Sequence, residues 1–344
     1  MPEFVPDWIA RLPKAELHLH LEGSATPETL VALARERGRQ LSLAEVTRRY
    51  AYGRNFLSFL LAFKWVSEQL CTPADYAFLL RALLERLHRE NVLYAEITLS
   101  AGVVLWKQQD LEATFLAVRQ ATEGAQRKHP VEVRWIVDAV RNFGARHVSQ
   151  VADYALRWKD AGVVAFSIGG EERGAPPETF RATFDRVRAA GLHVTVHAGE
   201  TVGPRSIWGA LRALGAERIG HGLAAFRDPK LVAWLAEQKI PLEVCPSSNL
   251  RTGALHKHTG SHDLRRHPLV DYVRRGVPVT LNTDDPGLFE TTLNQEYALA
   301  HRLGLTREEL VRVSQTAFEV AFCGDRARRA LLERFRASVI SLSA

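Results

Sequence analysis

Short runs of apolar, β-branched residues alternate along this chain, from about residue 91 onward, with longer stretches in which apolar residues recur three and four positions apart. The first pattern predicts buried strands and the second amphipathic helices. Strands are expected at VLYAEITLS (92–100), VEVRWIVDAV (131–140), VVAFSIGG (163–170), HVTVHAGE (193–200), RIGHG (218–222), PLEVCPSS (241–248) and PVTLNTDD (278–285), and AELHLH (15–20) makes eight. Helical patterns such as DLEATFLAVRQATEGAQRK, HVSQVADYALRWKDA, PETFRATFDRVRAAG and DPKLVAWLAEQK lie between them. Eight strands, each followed by a helix, predict an α/β fold of the (β/α)8 (TIM) barrel type, with chemistry gathered at the C-terminal strand ends. A doubly wound sheet would normally carry a Gly-rich phosphate turn after its first strand, and LEGSAT is not one.

The spacing has one irregularity. Residues 21–91, between the first two strands, include TPETLVALARERG and YAYGRNFLSFLLAFKWVSEQL. These read as extra helices on top of the barrel, with Phe56, Phe59, Leu60, Phe63 and Trp65 lining a lid that excludes water. No internal repeat, low-complexity tract or linker interrupts the pattern, so residues 1–344 are expected to form a single domain.

Composition narrows the function. With 46% hydrophobic and 24% charged residues, the chain has the make-up of a folded globular protein. No apolar run approaches the roughly 20 residues of a membrane span, and MPEFVPDWIARLPKAE has no signal-peptide pattern, so a cytoplasmic location is expected. Cys71, Cys245 and Cys323 are too scattered for a disulfide framework or zinc ribbon. The net charge of +6 raises the question of nucleic acid, but basic and acidic residues interleave, as in RATFDRVRAA and GDRARRALLERFRAS. That is a solvated helix face, whose excess charge attracts an anionic small molecule instead. Nothing in the pattern specifies an oligomer.

The unusual polar residues then fall in one place. In a strand, His18 and His20 share a face. His197 and Glu200, His221, and Asp284 and Asp285 each close a predicted strand at the end where a barrel keeps its active site. His18, His20, His197 and Asp284 supply three nitrogens and one oxygen, a set suited to zinc or a similar divalent ion with a position left open for water. The fourth strand lacks a lysine to bridge two metals, which favours one ion and argues against a two-metal phosphoesterase. No serine or cysteine sits in a nucleophile elbow, and Cys245 reads as a packed strand residue. The H-x-E and P-C-x-x-C signature of cytidine-deaminase zinc sites is missing. A second histidine group, His256, His258, His262 and His267, lies in a Gly-containing stretch read as a loop beside the pocket.

The motifs LPKAELHLHLEGS, FSIGGEE, VHAGE, ERIGHG, EVCPSSN and VTLNTDDP, in this order across residues 12–286, resemble the adenosine deaminase family of the amidohydrolase superfamily. The resemblance implies one Zn2+ per chain on His18, His20, His197 and Asp284, and hydrolysis of a 6-aminopurine to its 6-oxo form with release of ammonia. It implies that Glu200 protonates ring N1 and that His221 accepts a hydrogen bond from the attacking water or holds it in line. Asp284 also orients the water, Asp285 bonds N7, and the Gly170 backbone N–H meets N3. His20 and Glu22 border the substrate, Glu22 standing where many relatives carry an aspartate that reaches the sugar 5′-hydroxyl. Family members act on adenosine, adenine or aminodeoxyfutalosine. FSIGGEERGAPPETF and AGETVGPRSIWGAL resemble the aminodeoxyfutalosine branch, whose substrate carries a benzoate that Arg54 or Lys64 could pair. A purine nucleoside is therefore expected ahead of free adenine.

Overall fold

The computed structural model describes residues 4–343. Eight parallel strands follow one another around a nearly closed barrel in sequence order. They are β1 (Lys14–His20), β2 (Val92–Leu99), β3 (Glu132–Val140), β4 (Val163–Gly169), β5 (His193–Ala198), β6 (Arg218–His221), β7 (Leu242–Val244) and β8 (Val279–Leu281). Helices cover the outside, so β1 is buried on both faces, Leu17 and Leu19 against the helices and His18 and His20 toward the interior. Among the described residues, no helix is long and apolar enough to cross a membrane.

The last two strands are shorter than the apolar runs predict. Pro246 opens the helix Pro246–Arg251 at its first turn and ends β7 early. After β8 the chain leaves the ladder, and Asp284 takes a left-handed conformation (φ 64°) that costs a non-glycine residue about 1–3 kcal/mol. The seam between β8 and β1 is a single bridge at that residue, Leu19 opposite Asp284. Asp284 N–H donates to His18 O (3.0 Å) and His20 N–H to Asp284 O (2.8 Å). Side chains reinforce it: Leu17 N–H donates to Asn282 Oδ1 (2.9 Å) and Thr283 N–H to the Glu16 carboxylate (2.9 Å).

The insertion between β1 and β2 is helical, as expected: Pro27–Glu36, Leu43–Tyr50, Phe56–Gln69 and Pro73–Arg89. Thr26, Ser42 and Asn55 cap the first three by accepting from backbone N–H groups of their first turns. In Phe56–Gln69, Phe56, Phe59, Leu60 and Phe63 share one face and look into the barrel mouth. Trp65, predicted to join them, lies nine positions from Phe56, half a turn out of phase, and packs under the Arg49 guanidinium at 5.6 Å.

Candidate active site

Four side chains from three separated segments meet at the strand ends. His18 Nε2 and His20 Nε2 each lie 3.4 Å from Asp284 Oδ1, and His20 Nε2 lies 3.2 Å from His197 Nε2. Two ligands held 2.0–2.1 Å from a tetrahedral ion are about 3.3 Å apart, so these separations match three of the six edges of a coordination tetrahedron. His18 Nε2 is buried with no hydrogen-bond partner, an orphan that an ion would satisfy. The residues present therefore fit one divalent ion. His221 stands close enough to compete, since donor atoms of His18, His197, His221 and Asp284 all lie within 4.8 Å of one another. Its Nε2, however, faces the other carboxylate oxygen, Asp284 Oδ2, at 3.8 Å, which is longer than a tetrahedral edge.

Partners outside the cluster fix these rings. His18 Nδ1 donates to Glu243 Oε2 (2.8 Å), and Glu243 Oε1 accepts from Arg218 Nε (2.6 Å) and Thr195 Oγ1 (3.0 Å). Arg218 in turn pairs with Glu96. A carboxylate behind a ligating histidine sets its tautomer and orientation. Ser248 Oγ donates to Asp284 Oδ2 (2.7 Å), and Arg141, just after β3, donates to His197 O on β5 (2.7 Å). Burial disfavours charge on His18, but the nearby Asp284 carboxylate and the hydrogen-bonded Glu243 outweigh this and push its pKa up to about 10. Burial dominates at His20 and His221, which fall to about 4 and about 3.

Glu200 follows β5 on a loop that Glu172 gathers. The Glu172 carboxylate accepts from the N–H groups of Gly199 (2.9 Å), Glu200 (2.9 Å), Thr201 (2.6 Å) and Val202 (3.2 Å), and from the Ser206 hydroxyl. Burial first, then the charges of Asp284 and Glu172, raise the Glu200 pKa well above the usual carboxylate range. Its carboxylate lies 3.7 Å from His221 Nε2. Asp285 is raised likewise, by burial and then by Asp284, and its Oδ1 finds no partner. Gly23 makes room for it: a Cβ there would sit 1.7 Å from Asp285 Oδ1.

A cavity of about 350 Å3 opens over this cluster. His20, His197, Glu200, His221, Asp284 and Asp285 line its inner end and Gly170 its side wall; Phe56, Phe59, Leu60, Phe63, Trp106 and Phe143 line the outer half. Lys64 also lines it, its ammonium 5.4 Å from the Trp106 ring; Arg54 does not. His18 sits behind the inner end.

Glu22 is the departure from expectation. It is fully buried, its carboxylate accepts the Ser100 N–H (3.1 Å), and it does not line the cavity. Asp138 on β3 does: it is 4% exposed, its Oδ1 has no hydrogen-bond partner, and burial raises its pKa to about 7. Sequence reading missed Asp138, and a lone carboxylate in an inward strand position was the signal available. Of the second histidine group, His256 and His262 stack on each other, His258 Nε2 bonds Glu200 O (2.8 Å), and His267 is buried beside Asn249. The stretch is not all loop, since Ala254–Thr259 is helical.

A (β/α)8 barrel with a histidine–aspartate metal cluster and a buried carboxylic acid at the strand ends is the design of a metal-dependent hydrolase. The chain belongs to the adenosine deaminase family, whose model matches residues 13–338. It is a deaminase, a hydrolase acting on C–N bonds. It is 38% identical over 94% of its length to the aminodeoxyfutalosine deaminase of Streptomyces coelicolor, covering 83% of that protein. It is 37% identical, also over 94%, to the adenine deaminase of Rhizobium meliloti, covering 98% of it. Among solved structures, a zinc-bound amidohydrolase from Burkholderia ambifaria superposes with a TM-score of 0.88 at 25% identity, covering 100% of this chain and 97% of that one.

Proposed function

We propose that this protein hydrolyses a 6-aminopurine nucleoside to its 6-oxo product and ammonia, with one zinc ion on His18, His20, His197 and Asp284. The observation that carries this is a match of donors to acceptors at the inner end of the cavity. N1, N3 and N7 of a purine all accept hydrogen bonds, and so each needs a donor. Glu200 and Asp285, whose carboxyls burial pushes toward the proton-holding form, would donate to N1 and N7, and the Gly170 backbone N–H would donate to N3; all three line the cavity. A side chain at position 170 would block the ring: its Cβ would stand 2.6 Å from Asn142 Oδ1.

A zinc ion held by His18, His20, His197 and Asp284 would lower the pKa of a bound water from about 15.7 toward ~7 and so supply a nucleophile at neutral pH. Glu200 gives its proton to N1, which turns C6 into an electrophile; water adds there, one of its protons returning to Glu200 and the other passing to the amino group, so that the C6–N bond breaks, ammonia leaves and C6 keeps the oxygen. His221 and Asp284 hold the incoming oxygen in line. The lid face Phe56, Phe59, Leu60 and Phe63 excludes bulk water.

The outer half of the cavity favours a nucleoside over the free base, because adenine alone would leave its aromatic wall unfilled. Asp138 takes the sugar-hydroxyl role expected of Glu22. Aminodeoxyfutalosine ranks ahead of adenosine, since its benzoate suits Trp106 and Phe143 with the Lys64 ammonium beside them. The name of the Rhizobium relative keeps adenine as the alternative. Ammonia release from aminodeoxyfutalosine, adenosine, 2′-deoxyadenosine and adenine, with metal content measured on the same preparation, tests the reading. A preference for adenine overturns the nucleoside assignment, and about two ions per chain overturns the single-zinc site.

A further inference from the structure

Behind His221 runs a line of buried polar groups that the reaction above does not use, and its hydrogen-bond directions can be solved from one end. Leu269 N–H, which can only donate, lies 3.1 Å from His267 Nδ1, so that nitrogen accepts. Burial pushes the His267 pKa down to about 3, leaving a neutral ring whose one proton is on Nε2. Nε2 donates to Asn249 Oδ1 at 3.0 Å. This fixes the amide, because the flipped Asn249 would set NH2 against N–H. Asn249 Nδ2 therefore donates to His221 Nδ1 at 3.2 Å. His221 Nδ1 is thereby an acceptor, and in the neutral ring the proton sits on Nε2, which looks into the cavity between Glu200 Oε2 (3.7 Å) and Asp284 Oδ2 (3.8 Å).

Those two gaps are too long for direct hydrogen bonds and wide enough for an oxygen atom between the three groups. The geometry points to Asn249 and His267 as positioning residues that lock His221 in its Nε2–H tautomer, so that it donates to the reacting oxygen rather than accepting a proton from it. This reverses the direction expected from the sequence for the His221 hydrogen bond. The role at the reacting oxygen rests on the deaminase reading; the tautomer does not. All three residues are buried, so water does not reorient the relay: Asn249 is 0% exposed, His221 1% and His267 6%. His221 itself ends β6 in a left-handed backbone conformation (φ 60°), and Asn249 follows the neighbouring β7.

The test is a histidine 15N correlation spectrum of the full-length protein, with His221 assigned by comparison with His221→Phe, together with steady-state kinetics. In the wild type, His221 Nδ1 should resonate as a bare, pyridine-like nitrogen and Nε2 as a protonated, pyrrole-like one. Asn249→Asp, nearly isosteric, replaces the donor with an acceptor and should exchange the two signals. It should also lower kcat by about 10²-fold or more, the scale of a lost oxygen-stabilising donor. KM should move little, the pattern of an interaction made in the transition state. His267→Gln, whose amide still donates to Asn249, should keep the wild-type signature, whereas His267→Leu should give a mixture of tautomers. A wild-type ring protonated at Nδ1 overturns the lock without any variant having to fold. An Asn249→Asp protein with exchanged signals but unchanged kcat overturns the positioning role. If the tautomer is as stated and no purine is deaminated, the relay stands and the proposed function falls.

Discussion

Gly220 on β6 is where one added methyl group should disable the site. Its backbone is not left-handed, so alanine fits the strand, but a Cβ there would stand 2.8 Å from His18 Cε1 and 3.2 Å from Nδ1. Carbon atoms pack at about 3.5–4.0 Å, so the ring must retreat by about 0.7 Å or more. It has no slack, because Glu243 holds Nδ1 at 2.8 Å and is itself held by Arg218 and Thr195. Ligand constellations work only within about 0.5 Å of their geometry. Gly220→Ala should therefore weaken zinc binding about 10–100-fold, the scale of disturbing a ligand's support. It should lower kcat/KM about 10²-fold and cost about 1–3 kcal/mol of stability from overpacking. Chelator competition reads the affinity and urea unfolding the stability. Gly324→Ala, with nothing within 4 Å of its Cβ, is the control. Wild-type zinc affinity and turnover in Gly220→Ala would refute the idea that His18 is clamped between Glu243 and the β6 backbone.

Three further outcomes are expected. Glu200→Gln should keep its zinc while losing about 10²–10⁴-fold in kcat, the range of a lost general acid; surviving turnover with full metal content would end that assignment. Asp138→Ala should raise KM for nucleosides about tenfold, as for a lost charge-assisted hydrogen bond, and leave adenine kinetics unchanged; equal effects on both would remove Asp138 from sugar recognition. Lys14 is buried with its ammonium on Leu12 O and Glu90 O, and burial lowers its pKa to about 7. The unfolded chain, with an ordinary lysine pKa near 10.4, binds the extra proton between those values, so stability should rise with pH from 7 toward 10, by at most about 1.4 kcal/mol per unit. Urea unfolding of wild type against Lys14→Met at pH 7, 8 and 9 checks this, and a difference that does not change with pH contradicts it.

Much of this architecture could be read from the residue pattern because parallel barrel strands are apolar on both faces and stand out as β-branched runs. The lid helix was legible from its apolar run, and of the five residues expected to line it Trp65 strayed because helical phase turns it away from Phe56, Phe59, Leu60 and Phe63. The gathering of His18, His20, His197 and Asp284 was legible since they lie at or just beyond strand ends. What stayed hidden acts through partners distant in sequence. Glu243 supports His18 from 225 positions away. Glu172 gathers a loop through backbone N–H groups, which carry no residue identity. Asn249 and His267 matter only through the directions of their hydrogen bonds, and Glu22 is consumed by a backbone N–H that no motif reveals.

The barrel seam has a consequence for how this enzyme can change. At Asp284, ring closure and chemistry use the same residue: its backbone stitches the last strand to the first, and its carboxylate faces the reaction. Sequence drift that loosens the join surfaces as lost turnover, and drift that retunes the carboxylate strains the join. New specificity is therefore most freely acquired at the opposite end of the cavity, where the lid helix can vary without opening the wall.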